Sequence, residues 1–158
     1  DVSLQDLGTL CDIFYIGGTK CGALFGEAVV IPKRGLIPHF FTLIKQQGAL
    51  LAKGWLLGAQ FDVLFTDGLY LRIGKPAIEA AGRIRDALTE QNIPLCFGSP
   101  TNQIFFAVDE KQKTFLREKV DSSFWEACGG GHTILRFATS WATSPEDTDA
   151  LIQVLQAL

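Results

Sequence analysis

Phe14-Tyr15-Ile16-Gly17-Gly18-Thr19-Lys20-Cys21-Gly22-Ala23 is the stretch on which the reading of this 158-residue chain turns. The run from Cys11 to Ile16 has the aromatic and β-branched character of a short strand, and it ends in more glycine than regular structure tolerates. A strand therefore empties into a loop of flexible backbone. Glu27-Ala28-Val29-Val30-Ile31 reads as a second strand, closed by Pro32, which has no N–H to give to a ladder. The two strands bracket Lys20 like the arms of a hairpin.

Outward from this hairpin the period changes. Leu36, Ile37, Phe40, Phe41, Leu43 and Ile44 recur at three and four, the mark of an amphipathic helix. Leu50, Leu57, Phe61 and Leu64 keep that period, with Leu51, Leu56, Val63 and Phe65 widening the stripe until the helix should be mostly buried. Beyond Thr66-Asp67-Gly68, a helix is expected from Pro76 through Ala77, Ala81, Ile84 and Leu88, stopped by Asn92-Ile93-Pro94. Ile93 to Phe97 and Gln103 to Val108 look like strands. Asp109 with Gln112 forms a capping box for a short helix with Phe115, Leu116 and Val120 inward. Ser123 to Cys128 and Thr133 to Thr139 read as strands joined by Gly129-Gly130-Gly131-His132. Ser144-Pro145-Glu146-Asp147 then caps a last helix carrying Leu151, Ile152, Leu155 and Leu158 on one face. The order predicts an α/β segment over residues 1–66 and a small α+β domain over 67–158.

Composition narrows the function. Hydrophobic residues make up 47% of the chain and charged residues 20%, so a packed core is affordable and disorder is not expected. Lys and Arg total 14 against 17 Asp and Glu, for a net charge of −3 without a basic run, which argues against nucleic-acid binding. Gly48 to Phe65, the longest apolar stretch, is interrupted by Lys53 and Asp62, and a soluble, cytoplasmic protein without a membrane span is expected. Cys11, Cys21, Cys96 and Cys128 show no CxxC spacing, and His39 and His132 are the only histidines, so no metal site is expected. The chain contains no Met and opens on Asp1, which suggests a fragment or a processed chain.

Two residues stand out chemically. Lys20 is flanked by glycines that let backbone approach a planar ligand or phosphate, and Phe14, Tyr15 and Phe25 would favour its neutral, imine-forming amine. The pattern is not a Walker A loop, because Thr19 precedes the lysine and Cys21 follows it. A surface lysine on a hairpin turn fits the same spacing. Arg136 lies within Ile134-Leu135-Arg136-Phe137-Ala138-Thr139, where burial would demand an anionic partner such as a carboxylate. An edge-strand arginine facing solvent is the competing reading. His39 and His132 read as surface histidines, Lys45 and Lys53 as a solvated face or phosphate contacts, and Trp55, Trp125 and Trp141 as core or interface residues.

Taken together, Phe14 through Ala23, Gly26-Glu27-Ala28-Val29-Val30, Lys45 through Gly54, Pro100-Thr101-Asn102 and Leu135-Arg136-Phe137-Ala138-Thr139-Ser140-Trp141 resemble the threonine aldolase and β-eliminating lyase family of pyridoxal-phosphate enzymes. The resemblance covers nearly the whole chain. It implies the C-terminal part of an aspartate-aminotransferase-like (fold type I) enzyme: the end of the cofactor-binding large domain over 1–66 and the small domain over 67–158. It implies that Lys20 carries pyridoxal 5'-phosphate as a Schiff base, that Thr19 and Gly18 belong to the cofactor site, and that Arg136 holds the substrate carboxylate. The reaction implied is cleavage of β-hydroxy-α-amino acids, such as threonine, to glycine and an aldehyde, in a homodimer or homotetramer. Only 19 residues precede Lys20, whereas the family's pyridine-nitrogen aspartate and ring-stacking residue stand well before the lysine. The chain alone is thus expected to bind the cofactor weakly or not at all. A decarboxylase or aminotransferase using the same two residues, or a non-catalytic assembly fragment, are the alternatives.

Overall fold

The structure, a computed structural model, describes residues 2–158, and the chain divides between Tyr70 and Leu71 into two compact units. The first opens with helix α1 (Leu4–Leu10). Ser3 Oγ accepts the Asp6 N–H at 3.1 Å and the Asp6 carboxylate accepts the Ser3 N–H at 2.8 Å, a reciprocal cap that satisfies two helix-end donors. The sequence expectation contains no helix here, since seven residues are too few to display a period. Strands β1 (Phe14–Gly17) and β2 (Glu27–Val30) pair antiparallel, with Phe14 opposite Val30 and Gly17 opposite Glu27. The hairpin around Lys20 is therefore present.

Helices α2 (Phe40–Gln46) and α3 (Trp55–Phe65) follow. Both start later than their apolar periods suggest: His39, after Pro38, has φ 55°, and Gly54 is the N-cap of α3. The expected burial of α3 is overturned. Only Phe61 and Leu64 are buried, while Trp55 is 68% and Val63 60% exposed. An all-round apolar sequence fixes no single inward face, and the side carrying Leu57, Gln60 and Phe61 meets the hairpin loop.

The short helix α4 (Leu69–Ile73) runs across the boundary between the units. In the second unit, α5 (Lys75–Glu90) has Pro76 in its first turn, buries Ala77, Ala81, Ile84 and Leu88, and gives way to Asn92 at φ 57°. Strand β3 (Gln103–Val108), helix α6 (Glu110–Lys119), strands β4 (Ser123–Cys128) and β5 (His132–Ala138), and helix α7 (Pro145–Leu155) complete it. Capping boxes at Asp109/Gln112 and Ser144/Asp147 start α6 and α7. The sheet is antiparallel in the order β3-β5-β4. Its inward face, with Phe106 stacked on Phe137 at 4.8 Å, packs with Ile84, Leu88, Leu116 and Leu155 from the three longer helices into one core. Ile104, Phe106 and Val108 are buried and alternate with less buried neighbours, as a half-covered strand requires.

Two expectations change here. Ile93 to Phe97 is not a strand of the sheet: Leu95 makes an isolated bridge to Phe106, with Cys96 N–H donating to the Phe105 carbonyl and Ala107 N–H to that of Pro94. Pro94 can give no N–H in return, so the ladder does not extend. Arg136 is not on an edge strand either, because β5 is the middle strand of three.

Candidate functional site

Lys20 sits in a single 3-10 turn, Thr19–Cys21, between Gly18 and Gly22, whose φ of 95° suits glycine alone. The Cys21 and Ala23 N–H groups both donate to the Gly18 carbonyl, at 2.9 and 3.0 Å, which closes the loop on itself. A Cβ at buried Gly18 would stand 2.6 Å from the Ala23 Cβ and 3.0 Å from the Phe61 ring, so the turn needs glycine to lie this close to α3. Lys20 and Thr19 are exposed. Tyr15 (70%) and Phe25 (46%) are exposed too, which corrects the expectation of an apolar enclosure around the amine.

The loop is fastened from beneath by residues the sequence reading missed. Gln60 Oε1 accepts the Leu24 N–H at 2.6 Å, and Gln60 Nε2 donates to the Phe25 carbonyl at 3.4 Å and to the Leu56 carbonyl at 3.2 Å. Tyr70 Oη donates to the Gly17 carbonyl at 2.8 Å. Burial raises the pKa values of both the Cys21 thiol and the Tyr70 hydroxyl, and the two groups interact. Their neutral forms therefore prevail under the lysine turn. A polar side chain on the loop-facing side of an otherwise apolar helix, as Gln60 is on α3, was the available signal.

Arg136 belongs to the second unit and projects from the sheet face opposite the helices. Its Nη1 donates to Gln103 Oε1 at 3.2 Å and its Nη2 to Ser123 Oγ at 3.4 Å. Its Cζ lies 5.5 Å from the centroid of the Trp125 ring. Trp125 in turn meets Phe105 edge-on at 4.9 Å, and Phe105 meets Phe97 at 5.1 Å. Trp125 is 46% exposed, so it is neither core nor, within the described residues, covered. Trp55 and Trp141 are exposed as well. Among the described residues the Nε of Arg136 is the buried side-chain atom without a hydrogen-bond partner, and the contacts recorded for the guanidinium are neutral. A desolvated donor beside an unneutralised charge is costly unless an anion completes it.

The Pro100-Thr101-Asn102 and Arg136-to-Trp141 stretches, quoted separately from the sequence, are joined in this unit. Asn102 Nδ2 donates to the Thr139 carbonyl at 2.6 Å, the Thr139 N–H donates to the Asn102 carbonyl at 3.0 Å, and Thr139 Oγ1 donates to the Ala77 carbonyl at 2.6 Å. They hold the end of β5 against β3 and the start of α5. An open groove of about 440 Å³ beside this end is lined by Ser123, Arg136, Ala138, Thr139 and Asp147. His132 Nδ1 lies 3.2 Å from the Gly130 carbonyl, and Lys45 and Lys53 are exposed. Among the described residues there is no cluster of three metal-ligating side chains, and no helix is long and apolar enough to cross a membrane.

Comparison with known proteins fixes the class first. A serine palmitoyltransferase from Sphingomonas wittichii shares the fold at a TM-score of 0.67 and 14% identity, over 96% of this chain and 40% of its own. The architecture is that of part of a fold type I pyridoxal-phosphate enzyme. The narrower relation is to threonine aldolases. The solved structure of Leishmania major threonine aldolase matches at a TM-score of 0.94 and 39% identity, over 99% of this chain and 46% of that one. A low specificity L-threonine aldolase from a Pseudomonas strain is 32% identical over 133 residues, 84% of this chain and 38% of the relative. The chain is a homologue of the threonine aldolases and spans less than half the length of these relatives. No protein-family model matches it.

Proposed function

We propose that the chain is the C-terminal portion of a pyridoxal-phosphate-dependent carbon-carbon lyase that cleaves β-hydroxy-α-amino acids such as threonine to glycine and an aldehyde. Residues 1–66 are the end of the cofactor-binding domain and 67–158 the small domain. The observation that carries the reading is Arg136, a cation on the middle strand of a sheet whose recorded contacts are neutral and whose Nε is buried without a partner. Such a group is prepared for a carboxylate.

The residues present fit the cofactor chemically. Lys20 offers an exposed primary amine on a turn of locked backbone, next to the hydroxyl of Thr19 and the side-chain-free backbone of Gly18. Pyridoxal phosphate, when bound, supplies an aldehyde for imine chemistry and a conjugated ring that accepts electrons from a bond broken at the α-carbon. Lys20 would hold the cofactor and release it to the amine of the substrate. Arg136 would grip the carboxylate and so select which bond at the α-carbon is broken, by orientation alone. A homodimer or homotetramer is the setting the sequence resemblance implies, and the cytoplasm the one its composition suggests.

Borohydride reduction of the intact protein with its cofactor should attach the label at Lys20; a different labelled lysine, or none, would overturn the assignment. Arg136→Ala should chiefly weaken amino-acid binding, and unchanged affinity would remove it from the site. Products other than glycine and an aldehyde, such as carbon dioxide or a keto acid, would reassign the reaction within the same cofactor class.

A further inference from the structure

We infer that Trp125 and Gln103 are positioning residues that hold the Arg136 guanidinium with its Nε donor unpaired, so that a carboxylate is taken side-on through Nε and Nη2. The inference rests on the proposed role of Arg136 and adds how that role is set up.

The geometry begins with an irregularity in β4. Ser123 lies opposite Arg136 and Phe124 opposite Leu135, but Glu126 faces Ile134, so Trp125 is an extra residue in the strand. A bulge of this kind re-aims a side chain that regular alternation would place elsewhere. Here it brings the indole under the guanidinium at 5.5 Å, and Phe105, paired with Arg136 across β3 and β5, braces the indole edge-on. The ring offers a π face to a cation without neutralising its charge. Gln103 adds the second restraint: its amide oxygen accepts from Nη1, and an amide, unlike a carboxylate, leaves the positive charge intact.

What remains is directional. The Nε–H and one N–H of Nη2 point the same way along a planar fork, a spacing matched to the two oxygens of a carboxylate. Nε is the buried atom without a partner, and the Nη2 contact to Ser123 is the longer of the two side-chain bonds, so this edge carries the donor capacity that is left for an anion to satisfy. A glutamate or aspartate at position 103 would pair with Nη1 and neutralise the guanidinium from within. The architecture thus keeps the arginine half-buried, oriented and charged together.

The test measures binding of glycine, and of methylamine as its carboxylate-free counterpart, to the intact holoenzyme, with the Arg136 Nε–H followed by NMR during the glycine titration. Glycine should shift the Nε–H resonance, and methylamine should not. Trp125→Leu should weaken glycine about 3- to 10-fold while leaving methylamine unchanged, a range that follows from a half-exposed cation-π contact. Trp125→Phe, which keeps a π face, should recover most of that loss. Gln103→Glu should suppress glycine binding more strongly, because a carboxylate at Nη1 neutralises the charge that attracts the ligand. If Arg136→Ala leaves glycine binding unchanged, the carboxylate role itself fails. If Arg136→Ala abolishes it but Trp125→Leu and Gln103→Glu bind like the parent, or the Nε–H does not move, the positioning inference is overturned and the carboxylate role stands.

Discussion

Replacing Gln60 with Leu isolates what holds the lysine turn in place. The side chain is nearly the same size, so the change leaves no cavity and removes only polar contacts. Three bonds are lost: the short one from the Leu24 N–H at 2.6 Å and the longer ones to the Phe25 and Leu56 carbonyls at 3.4 and 3.2 Å. At about 0.5–1.5 kcal/mol for a typical net bond, one strong and two weak contacts amount to roughly 1–3 kcal/mol. The Leu56 carbonyl can keep its place in the α3 ladder, so the loss should fall mainly on the loop at Leu24 and Phe25. Native-state hydrogen exchange is the assay, because it reads local opening amide by amide. The Leu24 amide should exchange about 5- to 100-fold faster in Gln60→Leu, while the β3 and β5 amides of the second unit keep the parent rates. Gln60→Glu should retain part of the Leu24 protection, since it keeps the acceptor but sets a charge against two carbonyls. An unchanged Leu24 rate in Gln60→Leu would refute the idea that α3 fastens the loop.

Gly26 has φ 87°, and a Cβ there would overlap Leu57 Cδ2, so Gly26→Ala should destabilise the first unit by roughly 2–4 kcal/mol, seen as a lower urea midpoint for its own transition. Phe106 is fully buried and stacked on Phe137; Phe106→Ala should cost about 3–5 kcal/mol in the second unit, measured by the same titration. Burial raises the Cys21 pKa above its ordinary thiol value, so iodoacetamide should label Cys21 more slowly than free cysteine near pH 8, with the gap closing as pH rises. The sign for stability follows: with the folded pKa raised, the favourable contribution is complete below the unfolded thiol pKa and is lost as pH climbs through the folded one. Cys21→Ser should remove the thiol's share of the alkaline sensitivity and leave that of Tyr70, and an unchanged profile would assign it to other groups.

Much of the second unit was readable because its signals are local and redundant. Ser144-Pro145-Glu146-Asp147 and Asp109 with Gln112 cap α7 and α6 where the sequence places them. The alternation of Ile104, Phe106 and Val108 marks the buried face of β3. Features set by a partner distant in sequence were not readable. Whether Arg136 faces solvent depends on β5 lying between β3 and β4, which no property of Ile134 to Thr139 reveals. Trp125 reads from the sequence only as a core or interface residue, because a one-residue bulge, invisible in Phe124-Trp125-Glu126, decides its direction. The burial of α3 failed for a related reason: hydrophobicity all round a helix reports what could be covered, and Trp55 and Val63 are not.

The two candidate residues are prepared by opposite means, and the difference bears on how each tolerates change. Lys20 owes its presentation to backbone: Gly18 carries the turn bonds, Gly22 sits at positive φ, and Gln60 and Tyr70 hold main-chain atoms rather than the lysine itself. Its side chain is exposed, which suits the exchange of partners proposed for its amine. Arg136 owes its presentation to side chains, with Gln103, Ser123 and Trp125 each touching the guanidinium directly. A planar fork must be aimed before an anion arrives, or the anion bears the entropy of ordering it. Substitutions near Lys20 should therefore act through loop stability and spare the chemistry of the amine, whereas substitutions around Arg136 should alter ligand affinity with little effect on the fold.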